Sequence, residues 1–130
     1  MADREGPIQI AIVDYLNAVL PPECIVHFAK GEVRRSGATF MREQAWAKRM
    51  GALPGFPDLV VLPYASAGGA CFFEVKALGN YPSKAQREMH ERMRALGYRV
   101  AVVRSIDDVR ERLAEWRIGT REDRSGAPHG

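Results

Sequence analysis

Cysteine is scarce in this 130-residue chain, which contains only Cys24 and Cys71. No CxxC pair and no cluster of cysteine with histidine occurs, and this argues against a structural zinc site. Both cysteines lie in apolar, strand-like runs. We therefore expect two buried free thiols in a reducing compartment rather than a disulfide framework.

Long apolar runs are also missing. The longest fall well short of the ~20 residues that a membrane-spanning helix needs, and the charged segment from Met1 to Pro7 has no apolar signal core. The net charge is only +3, which permits a polyanionic partner without requiring one. With 46% hydrophobic residues, we expect one domain over residues 1–118, soluble and cytoplasmic, and a flexible tail over residues 119–130.

Apolar periodicity predicts the order of the elements. A first amphipathic helix runs from Pro7 to the pair Pro21-Pro22, and a short strand follows over Cys24–Phe28. The polar stretch Lys30–Thr39 indicates a hairpin or loop, and Phe40–Met50 has helical composition. Two strands, a helix, a strand and a last helix complete the order α-β-(α)-β-β-α-β-α. This predicts an α/β fold with a mixed sheet flanked by helices.

Three charged residues interrupt the two central strands. Asp58 begins the run Asp58–Leu62, and Glu74 and Lys76 end the run Cys71–Lys76. Residues two apart on a strand point to the same face, so Glu74 and Lys76 should lie together. If Asp58 lies beside them on the neighbouring strand, two acids and one base converge. Such a set suits a divalent cation and an activated water.

The ordered motifs resemble the virus-type replication-repair nuclease (VRR-NUC) family of the PD-(D/E)XK superfamily. The matching pieces are Gly55-Phe56-Pro57-Asp58-Leu59, Phe73-Glu74-Val75-Lys76, a following helix with Gln86, and Gly97-Tyr98-Arg99-Val100 running into Val102-Val103-Arg104-Ser105. The likeness extends from about Pro7 to about Leu113. It implies a restriction-endonuclease-like αβββαβ core.

The resemblance also implies a catalytic site. Asp58, Glu74 and the carbonyl of Val75 would bind Mg²⁺ or Mn²⁺, Lys76 would orient or deprotonate the attacking water, and Gln86 would position Lys76 or the water. Members of the family tend to carry a glutamate in the first helix that approaches the metal, and Glu5 is the nearest candidate. The pair Gly6-Pro7 directly after Glu5 departs from that pattern.

Each of these motifs also has a purely structural interpretation. Pro57-Asp58 is a common turn pair, and Glu74 with Lys76 could form a solvated pair on an exposed strand. Ser83-Lys84-Ala85-Gln86 fits a capping box, in which Gln86 folds back onto the backbone of Ser83. Both interpretations of Gln86 stay open at this point.

Candidate DNA contacts are basic or lie at a helix start, where backbone N–H groups favour phosphate. They are Lys30, Arg34, Arg35, Lys48, Arg49, Ser83 and Lys84. Trp46 and Trp116 are predicted to be core anchors rather than base-stacking platforms. His27 is predicted to be partly buried, and His90 is predicted to be exposed on its helix.

The leading hypothesis is a metal-dependent DNA endonuclease. A domain of this size has little surface for reading sequence, so branched DNA such as a four-way junction is the preferred substrate, and a homodimer would allow paired cuts. The alternatives are a non-catalytic nucleic-acid-binding module with the same fold and a nuclease subunit that needs a targeting partner.

Overall fold

A computed structural model of the chain describes residues 3–29 and 37–125. The helices and strands are α1 (Glu5–Val19), β1 (Ile25–Phe28), α2 (Gly37–Arg49), β2 (Leu59–Leu62), β3 (Cys71–Val75), α3 (Lys84–Ala95), β4 (Arg99–Val103) and α4 (Ile106–Glu115). Short 3₁₀ turns occur at Ala65–Ala67 and Arg121–Ser125. The predicted order of elements is confirmed. The helix α2 begins at Gly37, so the predicted loop over Lys30–Thr39 overlaps its first three residues, and 30–36 lie outside the described part.

The four strands form one mixed sheet in the order β1-β2-β3-β4. The first two pairs are antiparallel, and β3 pairs with β4 in parallel across α3. A parallel pair needs a crossover connection, and α3 supplies it. The predicted mixed sheet flanked by helices is confirmed.

Helices cover both faces of this sheet. On one face, α1 and α4 bury Ile12, Leu16, Val109 and Leu113 against apolar side chains of β2, β3 and β4. On the other face, α3 packs Met89 and Met93 against Phe72 and Val100. Successive strand residues point to opposite faces, which is why the odd-numbered residues of β3 belong to the first cluster and Phe72 to the second. Consequently every residue of β3 is buried, as expected for a strand covered on both faces.

The first helix starts where the charged N-terminal segment ends. Asp3 Oδ1 accepts hydrogen bonds from the backbone N–H groups of Glu5 (3.1 Å) and Gly6 (2.9 Å), which satisfies two donors that no helical carbonyl can reach. Proline is tolerated at Pro7 because the first turn needs no N–H from it. The start of α1 is therefore held at a defined position, and Glu5 is its first residue.

The helix α2 packs much less than the sequence predicts. Of its residues from Met41 to Arg49, only Ala47 is even half-buried, and α2 has no extensive contact with another described element. Trp46 is 62% exposed, so the prediction of a core anchor at that position is wrong. Helical periodicity alone does not show whether a partner element exists. Trp116, in contrast, is half-buried and stacks on Phe73 with the ring centroids 5.5 Å apart.

Both histidine predictions are wrong. His27 is exposed because it lies on β1, which forms one edge of the sheet. His90 is buried, because it lies on the side of α3 that packs on the sheet next to Met89 and Met93. Of the two thiols, Cys71 is buried as predicted, whereas Cys24 is only half-buried.

The segment after α4 is folded against the rest of the domain as far as Glu122. Ile118 is buried, Gly119 donates its N–H to the Tyr64 hydroxyl (2.7 Å), and Tyr15 donates its hydroxyl to Glu122 (2.6 Å). Up to Glu122 these partners come from distant parts of the chain, in a region where the sequence predicts a flexible tail. Residues 126–130 lie outside the described part. Within the described ranges, no helix has the length and apolar character to cross a bilayer.

Candidate active site

The register of the sheet brings the two central acids face to face. Leu59 of β2 pairs with Phe73 of β3 in an antiparallel register, and one step further along both strands places Asp58 opposite Glu74. Directly opposed residues project to the same face. Asp58 is 9% exposed and Glu74 is 1% exposed. Carboxylates at such depth are normally hydrogen-bonded or bound to a cation.

Asp58 is bonded to the neighbouring strand rather than to its own turn. Its Oδ2 accepts the buried N–H of Val75 at 2.8 Å, and its backbone carbonyl accepts the N–H of Ala29 at 2.8 Å. The simple turn-cap interpretation of Pro57-Asp58 therefore does not account for this side chain. Its carboxylate sits at the point where β3 ends, beside the predicted carbonyl ligand of Val75.

Lys76 follows the last residue of β3 and is half-buried. Its backbone N–H continues the pairing with β4 by donating to the carbonyl of Val103 (3.0 Å). The strand direction is thus preserved through position 76, and Lys76 shares the face of Glu74. The alternative of an exposed strand pair does not apply, because Glu74 is buried.

The side chain of Gln86 combines the two interpretations that the sequence leaves open. Ser83 Oγ accepts the Gln86 N–H (3.2 Å) and the Ser83 N–H donates to Gln86 Oε1 (2.9 Å), which completes a capping box at the start of α3. The amide nitrogen Nε2 of the same side chain donates to Glu74 Oε2 at 3.2 Å. These partners fix the orientation of the Gln86 amide: the Ser83 N–H needs the acceptor Oε1, and the Glu74 carboxylate needs the donor Nε2. Gln86 therefore holds the Glu74 carboxylate, and the role that the family resemblance implies for it, positioning Lys76 or the water, stays a prediction.

Glu5 lies on the helix and not before it. Its Oε2 accepts hydrogen bonds from the Ala77 N–H (3.2 Å) and from Asn80 Nδ2 (3.1 Å). The carboxylate of Glu5 thereby contacts the loop that follows Lys76. The departure at Gly6-Pro7 leaves Glu5 within α1, because glycine and proline are both accommodated in the first turn.

These side chains line one cleft of about 510 Å³ at the end of the sheet where β2 begins and β3 ends. The cleft contains Asp58, Glu74, Lys76, Gln86 and Glu5 together. Its wall is completed by residues that the sequence analysis did not single out, namely Asp3, Gly6, Gln9, Ile10 and Phe28. Ile10 and Phe28 are largely exposed, so the mouth of the cleft has apolar side chains beside its acidic floor.

The described residues of the cleft offer a cation only a few protein oxygens as ligands. In the described ranges, no three His, Cys, Asp or Glu side chains lie close enough together to hold a metal ion by themselves. Asp58 and Glu74 are the two acids that the register of β2 and β3 places opposite each other. Any cation there would take its remaining ligands from backbone oxygen, water or substrate phosphate.

His90 is a site residue that sequence reasoning missed. It is 2% exposed, and its Nε2 lies 3.4 Å from Glu74 Oε1. The available signal was spacing: Gln86 and His90 are four residues apart, so a helix that presents Gln86 to Glu74 presents His90 on the same side.

The predicted DNA contacts fall into separate groups. Ser83 and Lys84 begin α3 beside Gln86, and both are exposed. Lys48 and Arg49 are exposed in the last turn of α2, and Lys48 lines a different groove, between α2 and the segment Gly51–Phe56. Lys30, Arg34 and Arg35 lie outside the described residues.

The chain was compared with known proteins at the level of sequence and of structure. No family model and no curated protein sequence matches it. A solved structure titled "VRR_NUC domain protein" superposes with a TM-score of 0.61 at 24% identity, over 92% of this chain and 93% of that chain. A second, titled "VRR_NUC domain", superposes with a TM-score of 0.57 at 27% identity, over 88% of this chain and 97% of that chain.

The first likeness establishes the fold, and the second adds a modest sequence identity over almost the whole of both chains. Together with the motifs from Gly55 to Ser105, the comparisons support one assignment. That assignment is to the nuclease family of VRR-NUC domains, whose fold this chain shares.

Proposed function

We propose that this domain is a divalent-metal-dependent deoxyribonuclease that hydrolyses phosphodiester bonds in DNA. The observation that carries the proposal is the convergence of Asp58, Glu74 and Lys76 in one cleft. Two acids and one base on adjacent strands match the residue types that the family resemblance implies. A family member without catalytic activity would have no need to bury two carboxylates side by side, which is costly without compensation.

The donor chemistry of the cleft fits Mg²⁺ or Mn²⁺. Both are hard cations that prefer oxygen ligands, and Mg²⁺ is typically bound through one or two carboxylates plus water and substrate phosphate rather than by a complete protein cage. Asp58 and Glu74 would be the carboxylate ligands, with the Val75 carbonyl and Glu5 as further oxygen donors. The hydrogen bonds from the Val75 N–H to Asp58 and from Gln86 to Glu74 are the kind of outer contact that orients ligands.

The chain's own residues supply the remaining chemistry. A cation held by Asp58 and Glu74 would polarise the scissile phosphate and lower the pKa of a nucleophilic water. Lys76, on the same face as Glu74, holds the attacking water and offsets the charge that develops on the phosphate. Gln86 keeps the Glu74 carboxylate in place. The product carries a 5′-phosphate, as the family resemblance implies.

The substrate we propose is branched duplex DNA, such as a four-way junction, cut by a homodimer. Paired cuts in a two-fold symmetric junction need two acidic clefts related by the same symmetry, one from each copy. Trp46 of α2 and Met50, the residue directly after α2, are both exposed and are available for contact with a second copy. The proposal also includes a cytoplasmic site of action and a separate targeting protein.

The metal site is tested with Asp58→Asn and Glu74→Gln, each of which removes a negative oxygen ligand and keeps the side-chain shape. The matched control is Asp107→Asn, an exposed acid in the first turn of α4. We expect both site variants to lose cleavage in Mg²⁺ or Mn²⁺ while they still fold and bind DNA, and the control to cleave normally. Near wild-type cleavage by either site variant would refute the assignment.

The substrate is tested by competition between a four-way junction and a linear duplex of equal length, with light scattering over a concentration series. We expect a dimer that prefers the junction. A monomer that cleaves both substrates at the same rate would instead define a general nicking or end-processing nuclease. A protein that binds the junction without cutting it in either metal would favour the non-catalytic alternative.

A further inference from the structure

The Glu74 carboxylate has two neighbours from a single helix. Gln86 Nε2 donates to Oε2 at 3.2 Å, and His90 Nε2 lies 3.4 Å from Oε1. The two residues are one turn apart on α3, so they face the sheet side by side. One carboxylate oxygen is therefore engaged from the cleft, which Gln86 lines, and the other is approached from the interior, where His90 is buried.

The burial of His90 has to be explained by this contact. His90 lies in an apolar layer beside Met89 and Met93, which pack on Phe72 and Val100. A ring nitrogen in such surroundings costs free energy unless it has a polar partner. The separation of 3.4 Å exceeds the usual 2.7–3.2 Å, so a movement of a few tenths of an ångström brings the pair to hydrogen-bond length.

We propose that His90 is a positioning residue for the metal ligand Glu74, an inference that rests on the proposed metal-dependent function. His90 donates its Nε2–H to Oε1, Gln86 donates to Oε2, and the two hydrogen bonds fix the plane of the carboxylate. A carboxylate has about four lone-pair sites, more than the two that these hydrogen bonds use. The neutral imidazole with its proton on Nε2 is sufficient, and no change of protonation is required.

Gln86 and His90 are held in place in different ways. Gln86 is tied to the capping box of α3, so its position depends on the start of the helix. His90 is one turn further in and is held by packing. The rotation of Glu74 about its own side-chain bonds is thus limited by a helix that also carries the predicted phosphate contacts Ser83 and Lys84. Loss of such outer contacts typically lowers metal affinity 10–100-fold.

The experiment compares Mn²⁺ affinity by calorimetry with thermal stability in EDTA for four proteins besides the wild type. His90→Leu fills the space without a donor. His90→Gln carries an amide nitrogen at about the reach of Nε2, and His90→Asn carries the same amide one methylene shorter. Met93→Leu is the matched control, in the same cluster and one turn along α3.

We expect His90→Leu and His90→Asn to bind Mn²⁺ ~10–100-fold more weakly, His90→Gln to bind within a few-fold of wild type, and Met93→Leu to be unchanged. Should His90→Leu fail to fold, the ratio between His90→Gln and His90→Asn decides the matter. Equal Mn²⁺ affinity in all variants, with only the melting temperature altered, would overturn the positioning assignment and leave the metal site intact. A wild-type protein that binds no Mn²⁺ would overturn the proposed function and this inference with it.

Discussion

At the scale of single residues, the side chains of the cleft are held by contacts with more than one element. Gln86 completes the capping box of α3 and donates to Glu74, Asp58 directly precedes β2 and accepts from β3, and Glu5 begins α1 and accepts from the loop after Lys76. Each contact leaves a polar group with a defined partner. The geometry of the site therefore depends on the positions of several elements at once.

Lys76→Ala should lower cleavage without lowering metal affinity. The carboxylates of Asp58 and Glu74 remain, but the water is no longer held by the ammonium group, and loss of a positioned acid–base group costs ~10²–10⁴-fold in rate. Single-turnover cleavage and Mn²⁺ calorimetry on the same protein measure the two effects separately. If the variant no longer binds Mn²⁺, Lys76 supports the carboxylates and does not act on the water.

Cys71 should make the domain less stable at alkaline pH. Burial raises the pKa of the Cys71 thiol from 9.0 to about 11. The unfolded thiol loses its proton first, so the stabilisation is fully present below pH 9 and is lost as pH rises towards 11. Two pKa units correspond to about 2–3 kcal/mol. Burial and the bond to Glu122 raise the pKa of Tyr15 to about 12, which continues the trend above pH 10.

Urea unfolding at intervals from pH 8 to pH 10.5 measures this dependence. Cys71→Ala should flatten the curve between pH 9 and pH 10.5, whatever its effect at pH 8. Cys24→Ala is the control, because Cys24 is only half-buried, and should retain most of the slope. A wild-type free energy of unfolding that is constant over this range would contradict the burial argument.

At the scale of elements, the loop before β2 and the start of α3 are packed against each other. A side chain at Gly55, which has φ +83°, would bring a Cβ to 2.3 Å from the Ala85 carbonyl oxygen and 2.8 Å from the Gln86 nitrogen. Only glycine permits this approach. Phe56 reinforces it through an edge-to-face contact with Phe72, with centroids 5.7 Å apart. The turn that carries Asp58 is thereby placed beside the turn that carries Gln86.

Gly55→Ala should destabilise the domain more than Gly51→Ala. Both glycines have positive φ, but a Cβ at Gly51 (φ +105°) meets nothing within 4 Å. The Gly51 variant therefore reports only the backbone cost, about 1–2 kcal/mol. The Gly55 variant adds overpacking of a further ~1–3 kcal/mol and should weaken Mn²⁺ binding, because it displaces Gln86. Equal losses of unfolding free energy would show that the contact with α3 can relax freely.

At the scale of the whole molecule, the charge is distributed around an acidic cleft. The carboxylates lie at the ends of the central strands β2 and β3. The basic candidates Lys48, Arg49 and Lys84 are exposed on α2 and α3. A modest net charge of +3 cannot by itself direct DNA to the cleft. The positions of these basic side chains on the surface must steer DNA towards the cleft.

DNA binding should depend strongly on salt and weakly on sequence. Each phosphate contact adds ~0.9 to the slope of log affinity against log salt concentration. Alanine at Lys48, Arg49 or Lys84 should reduce the slope by about 1 for each cation that contacts phosphate, equally for unrelated sequences. The control is Arg121→Ala, at the 3₁₀ turn near the C-terminus. A flat salt response, or one strongly preferred linear sequence, would contradict this account of recognition.

The elements and the central acids could be predicted because both depend on local periodicity. Period-two alternation places Glu74 and Lys76 on one face. Because β2 runs antiparallel to β3, the start of β2, where Asp58 lies, is beside the end of β3, where Glu74 lies. The interpretation of Gln86 could not be decided locally, since the cap and the contact with Glu74 use different atoms of one amide. Lys30, Arg34 and Arg35 lie outside the described residues, so their DNA contacts stay predictions.

The sequence by itself determined which segments are helices and strands, and which charged residues interrupt the apolar runs. The tertiary structure decided which polar side chains are buried and which apolar ones are not. His90 is buried because α3 presents it to a strand that carries Glu74, and Trp46 is exposed because no described element covers α2 extensively. Burial is a property of two surfaces, and a sequence pattern describes only one of them.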